Sequence, residues 1–397
     1  MTRFFMNRNR TRLLSTMFLI VVIVQGIAAK TDSPVWFDFK GYIDILENIV
    51  VTEHSNTWIS GTVCQNRLEL SLHPARWVTI SSAARTRLLY GTFYEQLYSS
   101  GYGRTLTNDP GLMDLTINIW NNNSAVLNAT LDRMYADFSA GDWQFRAGRH
   151  RINWGKNLVW TPNDLFNAYS VFDVSYQEGP GTDALLVRRY LGPMSQLEMV
   201  IEGARDADSV SAAALWQISQ WGFDIQVLGG WVKSDIAAGM GFSGSVGGTA
   251  LRGECTIFSA ETDSSNAQVI GSFSADYSFS NELYVHLSSL FNSYGVKQPS
   301  GNLTETSFTS RLNARTLSPA MFQLYGQITY PITPLIHTDW SALLNPADGS
   351  LALMPHISFS LAENVDITIQ GQLQIGSTGD KFGSRNHVAY GNIRWSF

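Results

Sequence analysis

Long segments of strict apolar–polar alternation are the feature that most limits what this chain can fold into. Between Val365 and Ile375 every second residue is apolar or glycine, and the residues between them are Asp, Thr and Gln. Segments near 222–232, 268–279 and 351–361 repeat the pattern. Period two indicates a β-strand with one apolar and one polar face. Strands of soluble proteins average about 5–6 residues, whereas a tilted strand that crosses a bilayer needs about 9–11. The pattern therefore predicts membrane-spanning strands.

Composition supports a membrane β-protein and excludes a helical one. Charged residues make up 15% of the chain, against about 25% in an ordinary soluble domain. Aromatic residues are abundant, with 21 Phe, 15 Tyr and 12 Trp. A polytopic helical membrane protein would show several apolar runs of about 20 residues. This sequence has one such run, near its N-terminus.

The N-terminal residues have the organisation of a secretory signal peptide. Four arginines within residues 3–12 precede an apolar run at 13–27, and the small residues Ala28 and Ala29 follow. A membrane anchor helix is the alternative, but the run is short for a bilayer core of about 30 Å. We predict a signal peptide at 1–29 and one barrel domain at 30–397. Cleavage would change the formal net charge from −6 to −10, because four arginines and no acid are lost.

Several functional classes are not supported by the residues present. An acidic chain is a poor nucleic-acid binder, since phosphate contacts need clustered cations. Cys64 and Cys255 lie far apart, with no metal-ligand spacing around them. The sequence has no glycine-rich phosphate loop and no paired-histidine metal motif. We therefore expect no nucleic-acid partner, no metal and no cofactor.

The alternation divides the mature chain into eighteen predicted strands, with sixteen as the alternative if weaker strands merge. They lie near 36–49, 58–73, 77–90, 127–139, 142–149, 182–190, 195–204, 211–220, 222–232, 235–246, 249–260, 268–279, 282–293, 320–330, 334–344, 351–361, 364–376 and 386–397. Connections after even-numbered strands are all short, and the long segments 91–126, 150–181 and 294–319 all follow odd-numbered strands. Such sorting is typical of outer-membrane barrels. The predicted fold is all-β, a transmembrane antiparallel β-barrel.

The C-terminal strand carries a more specific resemblance. Phe397 is the last residue, and Trp395, Ile393 and Gly391 share its face. This pattern resembles the closing strand of Gram-negative bacterial outer-membrane β-barrels, among them the porins. The resemblance implies location in the cell outer membrane, contact with its lipid, and insertion by the barrel-assembly machinery through Phe397.

A barrel of this size favours a pore. Barrels of 16–18 strands enclose an aqueous channel, whereas eight strands leave room only for side chains. The third long connection, 150–181, is rich in aromatic and aliphatic residues, which would be costly to leave in water. We expect this loop to fold into the lumen. Trimeric porins have an inward third loop in the same ordinal position, but their Pro-Glu-Phe-Gly-Gly motif is absent here, so no subfamily is assigned. The sequence leaves the oligomeric state open, with a homo-oligomer among the expected partners.

The predicted function is a non-enzymatic porin for passive diffusion of small hydrophilic or anionic solutes. Alternation turns four arginines of neighbouring strands inward, and two more open the loop. Rings of Arg in a pore favour anions, but salt bridges that merely anchor the loop would explain the same residues. The candidate selectivity residues are Arg67, Arg85, Arg87, Arg146, Arg149 and Arg151, opposed by the loop acids Asp164, Asp173 and Glu178.

Two other classes of function are kept as alternatives. His54 and Ser55 raise the possibility of a lipid-modifying barrel enzyme, but adjacent strand residues point to opposite faces, which disfavours a direct His–Ser hydrogen bond. A structural or adhesive outer-membrane protein would use external segments such as Asn118–Asn128 and 294–319 to contact a partner.

Overall fold

The computed structural model describes residues 36–52, 57–99, 107–109, 111–168, 176, 178–260, 267–296, 313–383 and 386–397. The predicted signal peptide lies outside these residues. The elements, in chain order, are β1 (Phe37–Thr52), β2 (Thr57–Ala75), β3 (Val78–Tyr90), α1 (Thr92–Leu97), β4 (Thr116–Asn122), β5 (Ala125–Ala140), β6 (Trp143–His150), β7 (Thr182–Tyr190), β8 (Gln196–Glu202), β9 (Ser211–Gln220), β10 (Phe223–Val232), β11 (Asp235–Val246), β12 (Thr249–Ala260), β13 (Gln268–Ser278), β14 (Tyr284–Asn292), β15 (Phe322–Thr333), β16 (Ile336–Leu344), β17 (Leu351–Ala362), β18 (Val365–Ile375) and β19 (Asn386–Ser396).

The sheet is a closed antiparallel barrel. Strand β1 pairs with β2 on one edge and with β19 on the other, so the first and last strands complete the wall. The terminal residue takes part in this closure, because the backbone N–H of Phe397 donates to Gly41 O at 2.9 Å and the N–H of Gly41 donates back. A Cβ at Gly41 would lie 2.5 Å from Arg67 O and 3.0 Å from the Phe397 ring. Glycine at this position allows the terminal ring to pack on the closing seam.

The wall has eighteen strand positions, as predicted, although the chain forms one further strand. Strand β5 pairs with β3 along one edge. On its other edge it pairs with β6 from Met134 to Ala140 and with β4 from Ala125 to Thr130. Strand β4 therefore continues the position of β6 above the point where β6 ends. Sequence alternation missed β4, because this seven-residue segment is too short for the spanning pattern.

Side chains alternate across the wall as the sequence predicted. Outward positions carry large apolar residues, such as Met240, Leu287 and Ile328, which are exposed on the barrel exterior. Aromatic pairs cluster outside near the short connections, including Trp77 with Phe138 and Trp143 with Phe145. An apolar band with aromatic residues at its border is the exterior of a membrane barrel. Within the described residues, no helix is both long and apolar enough to cross a bilayer.

The long connections all lie at one end of the barrel, which confirms the predicted sorting; the tight link Lys233–Ser234 between β10 and β11 is a short connection at that same end. Tight turns join β10 to β9, β11 to β12 and β17 to β18, and their residues include Gly222, Gly247 and Asn364 at positive φ. Residue types that tolerate positive φ are required in two-residue hairpin turns. We refer below to the short-turn end and the long-loop end of the barrel.

The two ends should face different compartments. An epitope tag inserted after Asp206, in the exposed connection between β8 and β9, should bind antibody on intact cells. The same tag after Gly141, at the short-turn end, should bind only after the outer membrane is permeabilised, because long loops are external and short turns are periplasmic. Reversed accessibility would contradict the orientation.

Candidate pore lining and inward loop

The inner face of the barrel differs between its two ends. Near the short-turn end the inward side chains are polar or charged, for example Arg252 and Asp276. Near the long-loop end, on the strands from β7 to β16, inward positions also include buried apolar residues, such as Leu186, Phe258 and Ile270. The polar lumen expected from the alternation therefore occupies only part of the interior. The apolar part is covered by the connection between β6 and β7.

A single carboxylate of the wall receives the backbone of this connection. Glu254 on β12 points inward and accepts hydrogen bonds from the backbone N–H groups of Lys156 (2.5 Å), Asn157 (2.6 Å) and Asn163 (2.9 Å). Three donors on one buried carboxylate fix both ends of the segment between them. Hydrogen bonds to a charged group contribute about 1.5–3 kcal/mol each. Glu254 is thus the main polar anchor of the described part of the loop.

Other inward side chains extend this attachment. Asn157 donates from Nδ2 to Ser272 Oγ at 2.5 Å, and Ser274 Oγ donates to Asn157 Oδ1 at 2.6 Å. Gln226 Nε2 donates to the backbone oxygen of Trp154 at 2.7 Å. All of these wall residues lie on the inward phase of their strands. The described residues of the loop up to 168 therefore lie inside the barrel, against the strands from β8 to β13.

Apolar packing accompanies the hydrogen bonds. The buried cluster combines loop residues with inward residues of the wall: Ile152, Trp154, Val159, Trp160 and Leu165 from the loop, and Leu186, Val200, Leu215, Phe258, Ile270 and Leu290 from the strands. Trp160 also meets Tyr325 of β15 edge to face, with ring centroids 6.4 Å apart. Burial of large apolar side chains stabilises the docked loop by about 1.5–3 kcal/mol per residue.

Asp164 lies within this packed loop. Its side chain is buried, and burial raises its pKa to about 7, since desolvation outweighs the stabilising effects of Arg151 and of nearby backbone amides. The carboxyl group does not lie on the surface that faces the arginines of the opposite wall. The geometry gives Asp164 a place in the loop interior rather than in a charged pore lining.

The inward arginines of the wall are paired with wall acids. Arg67 contacts Asp132 at 3.1 Å and also Glu69, while Arg146 contacts Asp137 at 2.6 Å. Among the described residues, none of these ion pairs involves Asp164 or Glu178. Loop anchoring through arginine–loop salt bridges, one of the two interpretations of these residues, is therefore not seen in this part of the structure.

Arg85 makes a different contact. Its guanidinium carbon lies 3.6 Å from the centroid of the Tyr176 ring, a cation–π arrangement with the loop. Its Nε and Nη1 have no hydrogen-bond partner among the described residues. The Tyr176 hydroxyl in turn donates to Asp132 at 2.9 Å. Arg87, on the same strand, donates from Nε to Asn128 Oδ1 at 3.4 Å. Arg85 thus joins the wall to the loop, and its two unpartnered nitrogens are buried.

Arg149 occupies the outward phase of β6, like the exposed Phe145. It is nevertheless buried, because the connection between β3 and β4 covers it from outside. Its guanidinium contacts Asp183 (2.7 Å) and Asp109 (2.7 Å) and donates to Met113 O at 2.8 Å. This placement differs from the predicted pore-lining role, and we remove Arg149 from the candidate lining. It holds the covering segment to the wall where β6 ends.

The remaining predicted residues lie around the loop. Arg151 donates from Nη1 to the backbone oxygen of Glu178 at 3.3 Å, which ties the start of the loop to its return. The Glu178 carboxylate lies close to Tyr42 of β1. Asp173 lies outside the described residues. Arg151 and Glu178 are therefore brought together through a backbone contact.

Besides Arg252 of β12, two inward arginines were missed by the sequence analysis. Arg188 on β7 pairs with Glu198 at 2.5 Å, and Arg394 on β19 pairs with Asp44 at 2.8 Å. Both occupy the polar phase of their strands, so alternation alone could have found them. A cavity of about 60 Å³ lies beside Arg188, between Glu198 and Lys156 of the loop. We define the arginine face as the inward arginines of β19, β2, β3, β6 and β7, namely Arg394, Arg67, Arg85, Arg87, Arg146 and Arg188.

A second segment narrows the long-loop end from the other side. Helix α1 buries Phe93 and Tyr94 against inward residues of β1, β2 and β3. Asn48 Nδ2 donates to the Tyr94 hydroxyl at 3.0 Å. A Cβ at Gly61 would lie 2.8 Å from the Tyr94 ring, so glycine is needed for this close approach. Among the described residues, α1 and the inward loop thus occupy different sides of the interior at the long-loop end.

In the described ranges, no group of three or more His, Cys, Asp or Glu residues is placed to hold a metal ion. The enzymatic alternative rested on His54 and Ser55, which fall in the gap between residues 52 and 57 that the structure does not describe.

Comparison with known proteins places the fold among solved outer-membrane barrels. OccAB1 of Acinetobacter baumannii superposes with a TM-score of 0.56 over 93% of this chain and 99% of its own, at 10% identity. OprD of Pseudomonas aeruginosa gives 0.54 over 91% and 95%, at 7% identity. OccD3 (OpdP) of the same organism gives 0.51 over 91% of each chain, at 9% identity. No family model and no curated protein matches the sequence. At these identities the likeness is one of fold.

The loop anchor can be tested at Glu254. Glu254→Gln keeps the shape of the side chain but turns an amide NH₂ toward one of the three backbone donors. Docking of the loop should weaken by about 2 kcal/mol or more. We expect faster proteolysis within residues 151–168 and more frequent current fluctuations in single-channel recordings. Glu363→Gln, the same change in an exposed turn, should leave both unchanged. Equal behaviour of the two variants would show that Glu254 does not hold the loop.

Proposed function

We propose that this chain is an outer-membrane porin that allows small hydrophilic solutes to diffuse through its lumen. The observation that carries this proposal is the partial exposure of charged side chains inside a closed wall. Arg146, Arg188 and Arg394 point inward and keep 20–24% of their side-chain surface exposed. Charged groups inside a membrane barrel remain exposed only where water reaches them. An eighteen-strand wall is also wide enough for an aqueous channel.

The solved structures with the same fold support this proposal. OccAB1, OccD3 and OprD are outer-membrane porins of Gram-negative bacteria. The location in the outer membrane follows from the same fold together with the exposed apolar exterior of the barrel. We expect no enzymatic activity. Cleavage of residues 1–29, insertion by the barrel-assembly machinery through Phe397, and self-association are further parts of the proposal.

A preference for anions is the finer part of the proposal. The arginine face spans neighbouring strands on one side of the lumen, and acids of the wall neutralise several of its members. Arg85 has an aromatic ring rather than an acid as its contact, and two of its nitrogens have no partner among the described residues. Guanidinium groups stay charged and bind carboxylate or phosphate in a forked geometry. Arg85 itself is buried, so it does not bind a passing anion in this way; because its charge has no acidic partner among the described residues, we expect it to favour anions through the electrostatic potential of the lumen.

A planar lipid bilayer tests the pore directly. Purified protein should give discrete conductance steps that vary linearly with voltage, without any added substrate, because the lumen contains water-accessible charge. The experiment needs only the folded barrel, whose integrity can be checked by its heat-dependent mobility in a gel. Electrical silence of a folded preparation at all salts and voltages would reject the porin and favour a structural or adhesive barrel.

Arg85→Gln tests the selectivity. If Arg85 lines the passage, the reversal potential in a salt gradient should shift toward cation preference, and Arg87→Gln should add to the shift. The effect should shrink in 1 M salt, where the screening length falls to about 3 Å. Arg189→Gln removes the same charge from the outward face of β7, where Arg189 lies over Trp143, and should change nothing. A larger conductance with unchanged ion preference would instead show that Arg85 only fastens the loop through Tyr176.

A further inference from the structure

Asp164 is a buried acid to which the proposed pore gives no role. It lies in the connection between β6 and β7, after Asn163, whose backbone N–H binds Glu254, and before Leu165, which belongs to the buried apolar cluster. Asp164 is 1% exposed. An acid in such a place is either neutral, or charged and paired, because an isolated charge is strongly disfavoured away from water.

The described part of the chain offers the Asp164 carboxyl group no direct partner. Neither of its oxygens forms a hydrogen bond there, and no ion pair includes it. Two charged groups act on it from a distance. Arg151 of the same connection favours the carboxylate, and Glu254 of β12 disfavours it. Arg151 directs its Nη1 to the backbone oxygen of Glu178 rather than to Asp164.

Glu254 and Asp164 divide the available donors unequally. The Glu254 carboxylate accepts hydrogen bonds from three backbone N–H groups of the loop, whereas Asp164 accepts none among the described residues. Two neighbouring acids repel each other when both are ionised, so the proton belongs on the acid that has fewer donors. Burial also raises the pKa of Asp164 to about 7. The docked loop therefore favours an ionised Glu254 beside a neutral Asp164.

We propose that Asp164 is a proton-dependent switch of the inward loop, which binds the wall tightly when this carboxyl group is protonated and more loosely when it is ionised. The switch concerns the docking of the loop and acts whether or not the lumen conducts, so it goes beyond the proposed function. In a barrel that conducts, acidification should hold the loop more firmly against the strands and make the current steadier.

The pH range follows from the two environments of the carboxyl group. In a released and hydrated loop, an Asp side chain has a pKa of about 3.9, whereas burial in the docked loop raises the pKa of Asp164 to about 7. Between these values the docked loop keeps a proton that the released loop has lost. The equilibrium constant for docking should therefore be largest in acid, fall about tenfold per pH unit across this range, and become constant above it.

A spin label reports docking without any measurement of current. Leu158 lies in the inward loop and is 49% exposed, so a nitroxide on Leu158→Cys, in a full-length barrel that carries Cys64→Ser and Cys255→Ser, can follow the mobility of the loop. The mobile fraction should rise reversibly from about pH 4 to about pH 8. With Asp164→Asn, which keeps the shape but cannot ionise, the label should stay immobile throughout.

The same change at an exposed acid is the matched control. Asp206→Asn, in the connection between β8 and β9, should leave the pH response of the label unchanged. Heat-dependent mobility in a gel shows that each variant is folded. A wild-type label whose mobility does not depend on pH, or an Asp164→Asn barrel that keeps the wild-type response, would overturn the switch.

The neighbouring charges give a second measurement in which Asp164 itself is retained. The pH above which the mobile fraction stops rising reports the ionisation of the docked carboxyl group. Arg151→Gln removes the cation that favours the carboxylate, so this limit should move to higher pH. Glu254→Gln removes a like charge, so the limit should move to lower pH. Limits that stay fixed or move in the opposite directions would reject Asp164 as the titrating group. Electrical silence with an intact response of the label would reject the pore and support the switch.

Discussion

The pairing of backbone amides is the constraint on which the rest of this structure depends. In hydrocarbon no water is available to N–H and C=O groups, so a spanning sheet must have no free edge. The contact of Phe397 with Gly41 completes that requirement at the seam. Once the wall is closed, every strand has one face toward lipid and one toward the interior. The distribution of apolar, charged and small residues then determines what each face can do.

The interior combines two kinds of organisation. On the side of β7 to β16, the barrel encloses a packed core much like that of a soluble domain, with Glu254 as a buried polar anchor. On the side of β19 and β1 to β7, arginines and acids line the wall, and Arg146, Arg188 and Arg394 keep part of their side-chain surface exposed. A packed loop thus faces a charged wall, and in the proposed pore the packing would set the width of the passage and the arginine face would set its electrostatic potential.

Strand positions and facing could be predicted from the sequence because alternation reports directly on the two environments of a membrane strand. The inward position of the third loop was predicted only from its aromatic and aliphatic content. Arg149 could not be assigned correctly, since its partner Asp109 lies 40 residues earlier in a segment without periodicity. The inward burial of Ile270 and Phe258 was also not predicted. An apolar residue at an inward position looks like a break in the apolar–polar alternation until the loop that covers it is known. Long-range contacts of this kind leave no local pattern.

At the long-loop end, β4 and β6 together complete one strand position of the barrel wall. Where the chain leaves β6 to enter the lumen, the edge of β5 would stay open, and a segment from the preceding connection fills that edge and is held by Arg149. The lengths of two connections are therefore coupled. If the chain left β6 earlier to enter the lumen, β4 would have to be longer to pair with the exposed edge of β5. Insertions or deletions within 107–122 should therefore alter the third loop as well, so that variation in surface-exposed sequence reaches the passage itself.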